Sequence, residues 1–471
     1  MSRFAHRVAA LAVLAAVLLA AGATRAAAHP LGNFTVSTYS GLRVGPDQLE
    51  VDYVLDMAEI PTFQARQAVD ADHDGTVTAA EAAAWRDREC PHLARDLRAT
   101  ADGRALPLGV TGSALSFPKG AAGLETLRLE CALTAPLPAS PTAGRFLTYA
   151  DNTQQGRVGW HEITAVGDRT TLDTADVPAT SASARLTAYP KDQLSSPLDQ
   201  RTATLYTHPG GPPAPAGRGA PVRVARGGVD RVTAAFTALV GGRSSSPGLV
   251  AVALLVAVGL GAAHALAPGH GKTVMAAYLV GLRGTPRQAA AIGATVTVTH
   301  TAGVLVLGVM LSSSRAVASE RLYPWLGLAS GLLLAAVGLG LLLRARPARH
   351  HHDHPHPHDH GRALGLRGLV ALGLAGGLVP SPSAVVVLLG GIALGRAWFG
   401  VALVLAYGAG MAATLTGIGL LLARLRARMD RRLQLPAGSL LAKAGRLLPA
   451  VTASVIVVVG LALAASGAAQ L

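Results

Sequence analysis

His264-Ala265-Leu266-Ala267-Pro268-Gly269-His270-Gly271-Lys272-Thr273 interrupts an apolar run that extends from about Gly248 to Leu282. The run is long enough to span a bilayer, yet it carries two imidazoles and an ammonium. Proline brings no amide donor and the neighbouring glycine relaxes the backbone. The stretch therefore reads as two half-helices meeting at Pro268-Gly269. Irregular backbone survives at membrane depth only where it lines a cavity, and a histidine inside a span marks a pathway or a binding site. The break is the expected seat of a transported ligand. The competing reading is a kinked helix with interfacial histidines.

Five further apolar runs follow, about Gln288 to Leu311, Leu322 to Leu343, Leu369 to Leu394, Trp398 to Ala423 and Leu447 to Ala465. Each is long enough to cross. Of 471 residues, 50% are hydrophobic and 14% charged, a balance that fits a membrane protein with one sizeable soluble part better than a soluble enzyme. The net charge of +14 does not point to nucleic acid, because most arginines sit in short loops beside the spans. Loops 283–287, 344–367 and 424–446 hold fourteen Arg or Lys, against Arg315, Arg321 and Arg396 in the other two loops. The positive-inside rule then gives six spans with both ends outside.

Residues 261–281 laid beside 373–393 align Ala267-Pro268-Gly269-His270 with Val379-Pro380-Ser381-Pro382. A repeat of three crossings, an odd number, requires inversion across the membrane. The fold expected for residues 248–471 is thus a polytopic α-helical domain of two inverted three-span halves with proline-broken helices.

The first 28 residues form a signal peptide: Arg3 and Arg7, an apolar run from Val8, then Ala26-Ala27-Ala28 at a cleavage site. It sends residues 29–205 to an extracytoplasmic, oxidising side and makes the chain a multi-pass protein of the plasma membrane. Cys90 and Cys131, the only cysteines, both fall there. One disulfide is the economical pairing, with two free thiols as the alternative. Alternation such as Leu49-Glu50-Val51-Asp52-Tyr53-Val54, and strand candidates at 124–133, 145–149, 156–166 and 185–189, predict a β-rich domain. Residues 206–247, rich in Pro, Gly and Ser, read as a linker.

Inside the β-rich domain, Asp70, Asp72, Asp74, Gly75, Thr76, Thr78 and Glu81 resemble an EF-hand calcium loop over residues 70–81. Asp70, Asp72 and Asp74 supply carboxylates, Thr76 its carbonyl, and Glu81 a bidentate carboxylate. A single loop outside the cell implies a structural Ca²⁺ held weakly, with helices at 63–69 and 79–88 on either side. His29 and the strand residue His161 are weaker metal candidates.

Between the membrane halves, residues 349–361 carry His350, His351, His352, His354, His356, His358 and His360 with two aspartates, a loop suited to capturing metal. Inside the membrane, His264 and His270 at the break and His300 at mid-span form an imidazole set, with no Asp or Glu from Ala251 to Ser319. Such a set favours nickel, cobalt, copper or zinc over hard ions. Thr299, Ser381, Met275 and the backbone freed at Pro268 and Pro380 are expected helpers. Lys272 faces the interface or replaces the ion's charge when the ion leaves.

Taken in order, HALAPGHGKT, TVTVTHTAG, a His-rich loop and GLVPSPSA resemble the NicO family of nickel and cobalt transporters, which includes the RcnA-type efflux permeases. The resemblance covers about residues 248–465 and implies Ni²⁺ or Co²⁺ as the transported ion, with His264, His270 and His300 as ligands. Ser381 stands where the family pattern leads us to expect Cys, so a thiolate ligand is missing, and the EF-hand-containing N-terminal domain is an addition to the simplest members. The expected function is efflux of Ni²⁺ or Co²⁺, not enzymatic catalysis, with uptake as the alternative because imidazole clusters also act as buffers. A calcium-dependent surface sensor with a membrane anchor is a second class, and a transmembrane thiol relay a third, which needs intramembrane cysteines. Gly269-His270-Gly271-Lys272-Thr273 lacks the upstream glycine of an ATP-binding loop, so energy comes from an ion gradient or a partner that the sequence does not name.

Overall fold

The computed structural model describes residues 31–138, 144–194, 196–214, 247–266, 285–313, 319–345, 365–432 and 440–469. The signal peptide, His29, Pro268, His270, Lys272, Met275 and the His-rich loop lie outside these residues. The chain divides into two compact units at Gly241 and Gly242.

The first unit is a pair of five-stranded sheets. One has the order β5-β6-β2-β1-β8, the other β4-β3-β7-β10-β9. The strands are β1 (Val36–Val44), β2 (Gln48–Met57), β3 (Leu97–Ala101), β4 (Arg104–Leu106), β5 (Gly109–Ser116), β6 (Leu127–Pro136), β7 (Arg145–Asp151), β8 (His161–Gly167), β9 (Thr170–Ala175) and β10 (Thr202–Pro209). Alternation decides which side chains are inside: Leu42, Val44, Val51 and Leu129 from the first sheet share one core with Leu147, Tyr149, Ala203 and Leu205 from the second.

The same inner faces carry hydroxyls that find partners across the gap. Ser40 bonds Tyr149 at 2.9 Å, Thr38 donates to Asp151 at 2.8 Å, and Tyr53 bonds Thr153 at 2.6 Å. Two helices, α1 (Glu59–Val69) and α2 (Ala79–Ala94), flank loop 70–78. A disulfide between Cys90 and Cys131, with Cα atoms 5.8 Å apart, joins α2 to β6.

Residues 185–189 do not form the expected strand. Ala184, Arg185 and Leu186 take positive φ values of 48°, 58° and 64°, forming a turn that drives Leu186 into a cluster with Tyr39, Val54 and Trp160. The apolar residues serve that plug, so their alternation carries no ladder. The chain also stays in the sheet to Pro209 through β10, past the expected domain end at 205.

The second unit is helical: α3 (Pro247–Leu266), α4 (Pro286–Ser313), α5 (Ser319–Ala345), α6 (Leu366–Gly377), α7 (Pro382–Ala393), α8 (Ala397–Arg432) and α9 (Leu440–Ala468). Among the described residues, four segments are long and apolar enough to cross a membrane: Arg287–Ser313, Leu322–Leu343, Ala397–Leu422 and Ala450–Ala468. A fifth span arises if α6 and α7, bent by 69° at a short break, count as one. Among the described residues, Val250–Leu266 is a shorter apolar helix.

Small residues let these helices approach closely. Gly327 sits against Gly467, Gly331 against Ala464, and Gly338 against Val457, so α5 and α9 run antiparallel along a seam of small side chains. A methyl on Gly261 of α3 would lie 1.9 Å from the Tyr407 carbonyl oxygen of α8, and one on Gly377 of α6 would lie 2.4 Å from the Val296 carbonyl oxygen of α4. The glycine at 377 brings the end of α6, where the bend begins, down onto the backbone of α4 at His300.

Candidate metal sites

In the membrane unit the bend is built by Pro380-Ser381-Pro382. Proline at the first position of α7 has no amide to satisfy, and Ser381 before it is extended at φ −73° and ψ 133°. Breaking a helix frees carbonyls, and at membrane depth each needs a partner. Tyr323 of α5 donates to the Pro380 carbonyl at 3.1 Å, and Ser330 donates to the Ala375 carbonyl at 2.6 Å. On the other side stands His300 of α4, 6% exposed, whose Nε2 lies 3.2 Å from Ser381 Oγ and accepts the Ser381 amide at 3.3 Å.

His264, in the last turn of α3, faces the same place. Its ring centre is 5.7 Å from that of His300 and 5.7 Å from that of Tyr407 on α8. With an ion–nitrogen distance of about 2.1 Å, two imidazoles sharing one ion have ring centres roughly 4.5 to 6.5 Å apart. The observed spacing falls in that window. The buried Tyr407 hydroxyl lies near Ser381 and Ser383 without completing a hydrogen bond, and the buried Thr297 hydroxyl also lacks a partner among the described residues.

Of the residues expected at this site, His264, His300, Pro380 and Ser381 come together. Thr299 is half-buried, and its Cβ packs toward Gly377 of α6. His270, Lys272 and Pro268 fall outside the described residues. Sequence reasoning misses Tyr323 and Tyr407; a hydroxyl within an apolar run is the signal that marks them, because a buried tyrosine needs a partner.

In the soluble unit, loop 70–78 and the first turn of α2 carry the acidic residues. Ligand-type oxygens of Asp70, Asp72 and Asp74 all lie within 4.8 Å of one another. The turn that gathers them uses positive φ at His73 (60°) and Gly75 (87°). Amides hold the carboxylates in place: Gly75 donates to Asp70, Asp74 to Asp72, and Thr76 to Asp74, at 2.9, 3.1 and 2.6 Å. Asp70 Oδ1 is buried without a hydrogen-bond partner among the described residues. This oxygen-only donor set fits Ca²⁺.

Glu81, the twelfth residue of the loop, is held at the start of α2. It closes a capping box with Thr78 and accepts the Ala71 amide at 2.7 Å. Hydrogen bonds from the Thr78 amide and hydroxyl, then from Ala71, hold its carboxyl down at about 2. His161 is buried on β8, where Thr38, already donating to Asp151, accepts from His161 Nδ1 at 2.9 Å. Burial pushes its pKa down. Enclosed in the sandwich and joined to Thr38, this histidine is a structural member of the inter-sheet network.

Helices of spanning length, a proline bend and facing histidines define a multi-pass membrane protein. Over 207 aligned residues the chain is 33% identical to the nickel/cobalt efflux system RcnA of Escherichia coli K12, covering 35% of this chain and 75% of that one. A Methanocaldococcus jannaschii protein with the provisional name nickel/cobalt efflux system is 32% identical over 160 residues, covering 34% of this chain and 70% of that one. Salmonella arizonae RcnA is 45% identical over 80 residues, 17% of this chain and 28% of that one. The chain belongs to the RcnA-type family of nickel/cobalt efflux systems. The model for the cytochrome C biogenesis protein transmembrane region also matches residues 295–447. Cys90 and Cys131 lie outside that match, so it carries no intramembrane thiols. No solved structure matches the chain.

Proposed function

We propose that the chain exports Ni²⁺ or Co²⁺ from the cytoplasm through an intramembrane histidine site. The observation that carries this reading is the approach of His264 to His300 beside the bend at Ser381. Imidazoles without carboxylates bind borderline transition ions and leave hard ions to water. In this proposal His270, two residues after Pro268 in the sequence, is the third imidazole ligand and Lys272 the charge that replaces the ion. Six spans in two inverted halves, each with one proline break, provide alternating access around this site. The His-rich loop at 349–361 collects the ion on the cytoplasmic side, which favours export over uptake.

The β-rich domain lies on the extracytoplasmic face, delivered by the signal peptide, where the Cys90–Cys131 disulfide is stable. Asp70, Asp72 and Asp74, with the Thr76 carbonyl and Glu81, would hold Ca²⁺, which supplies positive charge that neutralises the loop's carboxylates and orders it. Export energy comes from an ion gradient or a partner protein.

The reading is tested in a host stripped of its own nickel exporter. Cells expressing the wild-type chain should tolerate more nickel and hold less of it than cells expressing His264→Ala or His300→Ala at equal membrane levels. Higher nickel content with the wild-type chain than without it would replace export by uptake. Equal content in all strains would remove metal transport altogether.

A further inference from the structure

We propose that Ser381 is a positioning residue that competes with the transported ion for His300; this rests on the histidine site described above. His300 Nε2 accepts the Ser381 amide at 3.3 Å and lies 3.2 Å from the Ser381 hydroxyl. An amide has only a proton to give, so the Nε2 lone pair is committed to the bend. An ion that takes this nitrogen must first separate His300 from Ser381. The contact is therefore a latch between the imidazole of one helix and the bend of another.

The surroundings suit a two-position element. The bend is tied to α5 by Tyr323 at the Pro380 carbonyl, and to α4 by His300. When Ser381 leaves His300 its hydroxyl has somewhere to go, because the buried Tyr407 hydroxyl lies near it and makes no geometrically complete hydrogen bond among the described residues. For the hydroxyl, loss of one partner and gain of another lowers the cost of opening at a depth where an unpaired polar group is expensive; the amide, left without His300, is what drives relatching. Ion binding to His300 thereby loosens the bend, and relatching of Ser381 helps to expel the ion.

The test uses the full-length protein in detergent and in proteoliposomes, with Co²⁺ as the probe read by its visible absorption when bound. Removing the hydroxyl in Ser381→Ala should tighten Co²⁺ binding about five-fold, the factor that one hydrogen bond of ordinary strength is worth. In transport, KM and kcat should fall together because release slows. Ser381→Thr, which keeps the hydroxyl, should restore both values. Ser381→Pro removes the amide as well, and the backbone φ of −73° already suits proline, so a larger shift is expected. If neither Ser381→Ala nor Ser381→Pro, each recovered as folded protein, shifts Co²⁺ affinity by more than about two-fold, less than one hydrogen bond is worth, Ser381 is a packing residue and the latch is wrong. If His300→Ala binds Co²⁺ as tightly as wild type, the histidine site itself is wrong and the latch falls with it.

Discussion

Asp70, Asp72 and Asp74 come from five consecutive residues, stand largely in solvent, and are held by amides of their own loop. His264 and His300 come from two helices, with Ser381 from a bend between two more, and His300 and Ser381 are each 6% exposed. One cluster is assembled by turn chemistry and the other by packing. The contrast shows where each should fail: the loop through its own residues or through calcium, the buried pair through any helix that lets it drift. It also separates the donors by hardness: carboxylate oxygens, which suit a hard ion, in the loop, and imidazole nitrogens, which suit a borderline one, at the bend.

The largest effect should come from His264→Ala or His300→Ala, each weakening Co²⁺ binding by at least about 100-fold, since losing even an outer hydrogen-bond partner of a ligand costs metal sites 10- to 100-fold. Isothermal titration of the purified full-length protein measures it. The calcium response of the soluble domain should be unchanged in both variants, and a changed response would break the separation of the two sites. Next, Gly377→Val should unseat the bend, because a Cβ there meets the Val296 carbonyl oxygen at 2.4 Å. The expected result is loss of the monodisperse peak on size-exclusion chromatography.

Reduction of Cys90–Cys131, which closes a separation of 41 residues, should destabilise the isolated soluble domain by about 4 kcal/mol in the chain-entropy model. Urea melts with and without reductant check this. Calcium at about 1 mM should stabilise the same domain by about 0.4 to 1.4 kcal/mol if the loop binds with a Kd of roughly 10⁻³ to 10⁻⁴ M. Nickel at the same concentration should do less, and Glu81→Ala should abolish the calcium shift while leaving nickel transport intact. The smallest effect is the pH dependence of the cap. The Glu81 carboxyl is depressed to about 2 in the fold from 4.5, so its contribution is present above about pH 4.5 and disappears as pH falls toward 2. The difference in melting temperature between wild type and Glu81→Gln, without calcium, should be constant from about pH 7 to about pH 5 and vanish near about pH 2.

The same contrast explains what the sequence makes legible. The acidic loop is readable because its geometry is local: spacing, Gly75 and the Thr78-to-Glu81 box all lie within residues 70–81. Strands with strict alternation, such as β2, are readable for the same reason. Gly109–Ser116 is a strand without a strong apolar period, rich in Gly and Ser, and Leu97–Ala101 alternates over only five residues with two small alanines; both pair because neighbouring strands offer edges. In the membrane unit, proline announces the bend at Pro380 and histidine the approach of His264 to His300. That Tyr323 would cap the Pro380 carbonyl, or that His300 would accept the Ser381 amide across 81 residues, depends on helix packing that no local window contains.

Everything proposed for the membrane unit depends on a nitrogen-ligated transition ion leaving the cytoplasm through the site at His264 and His300. Nickel uptake by everted membrane vesicles, whose outer face is the cytoplasmic one, measures that step. Vesicles carrying the wild-type chain should accumulate nickel while an ion gradient is maintained, stop when it is collapsed, and show no accumulation with His300→Ala. Equal accumulation by wild-type and His300→Ala vesicles, or release of preloaded nickel by the wild type, would contradict it.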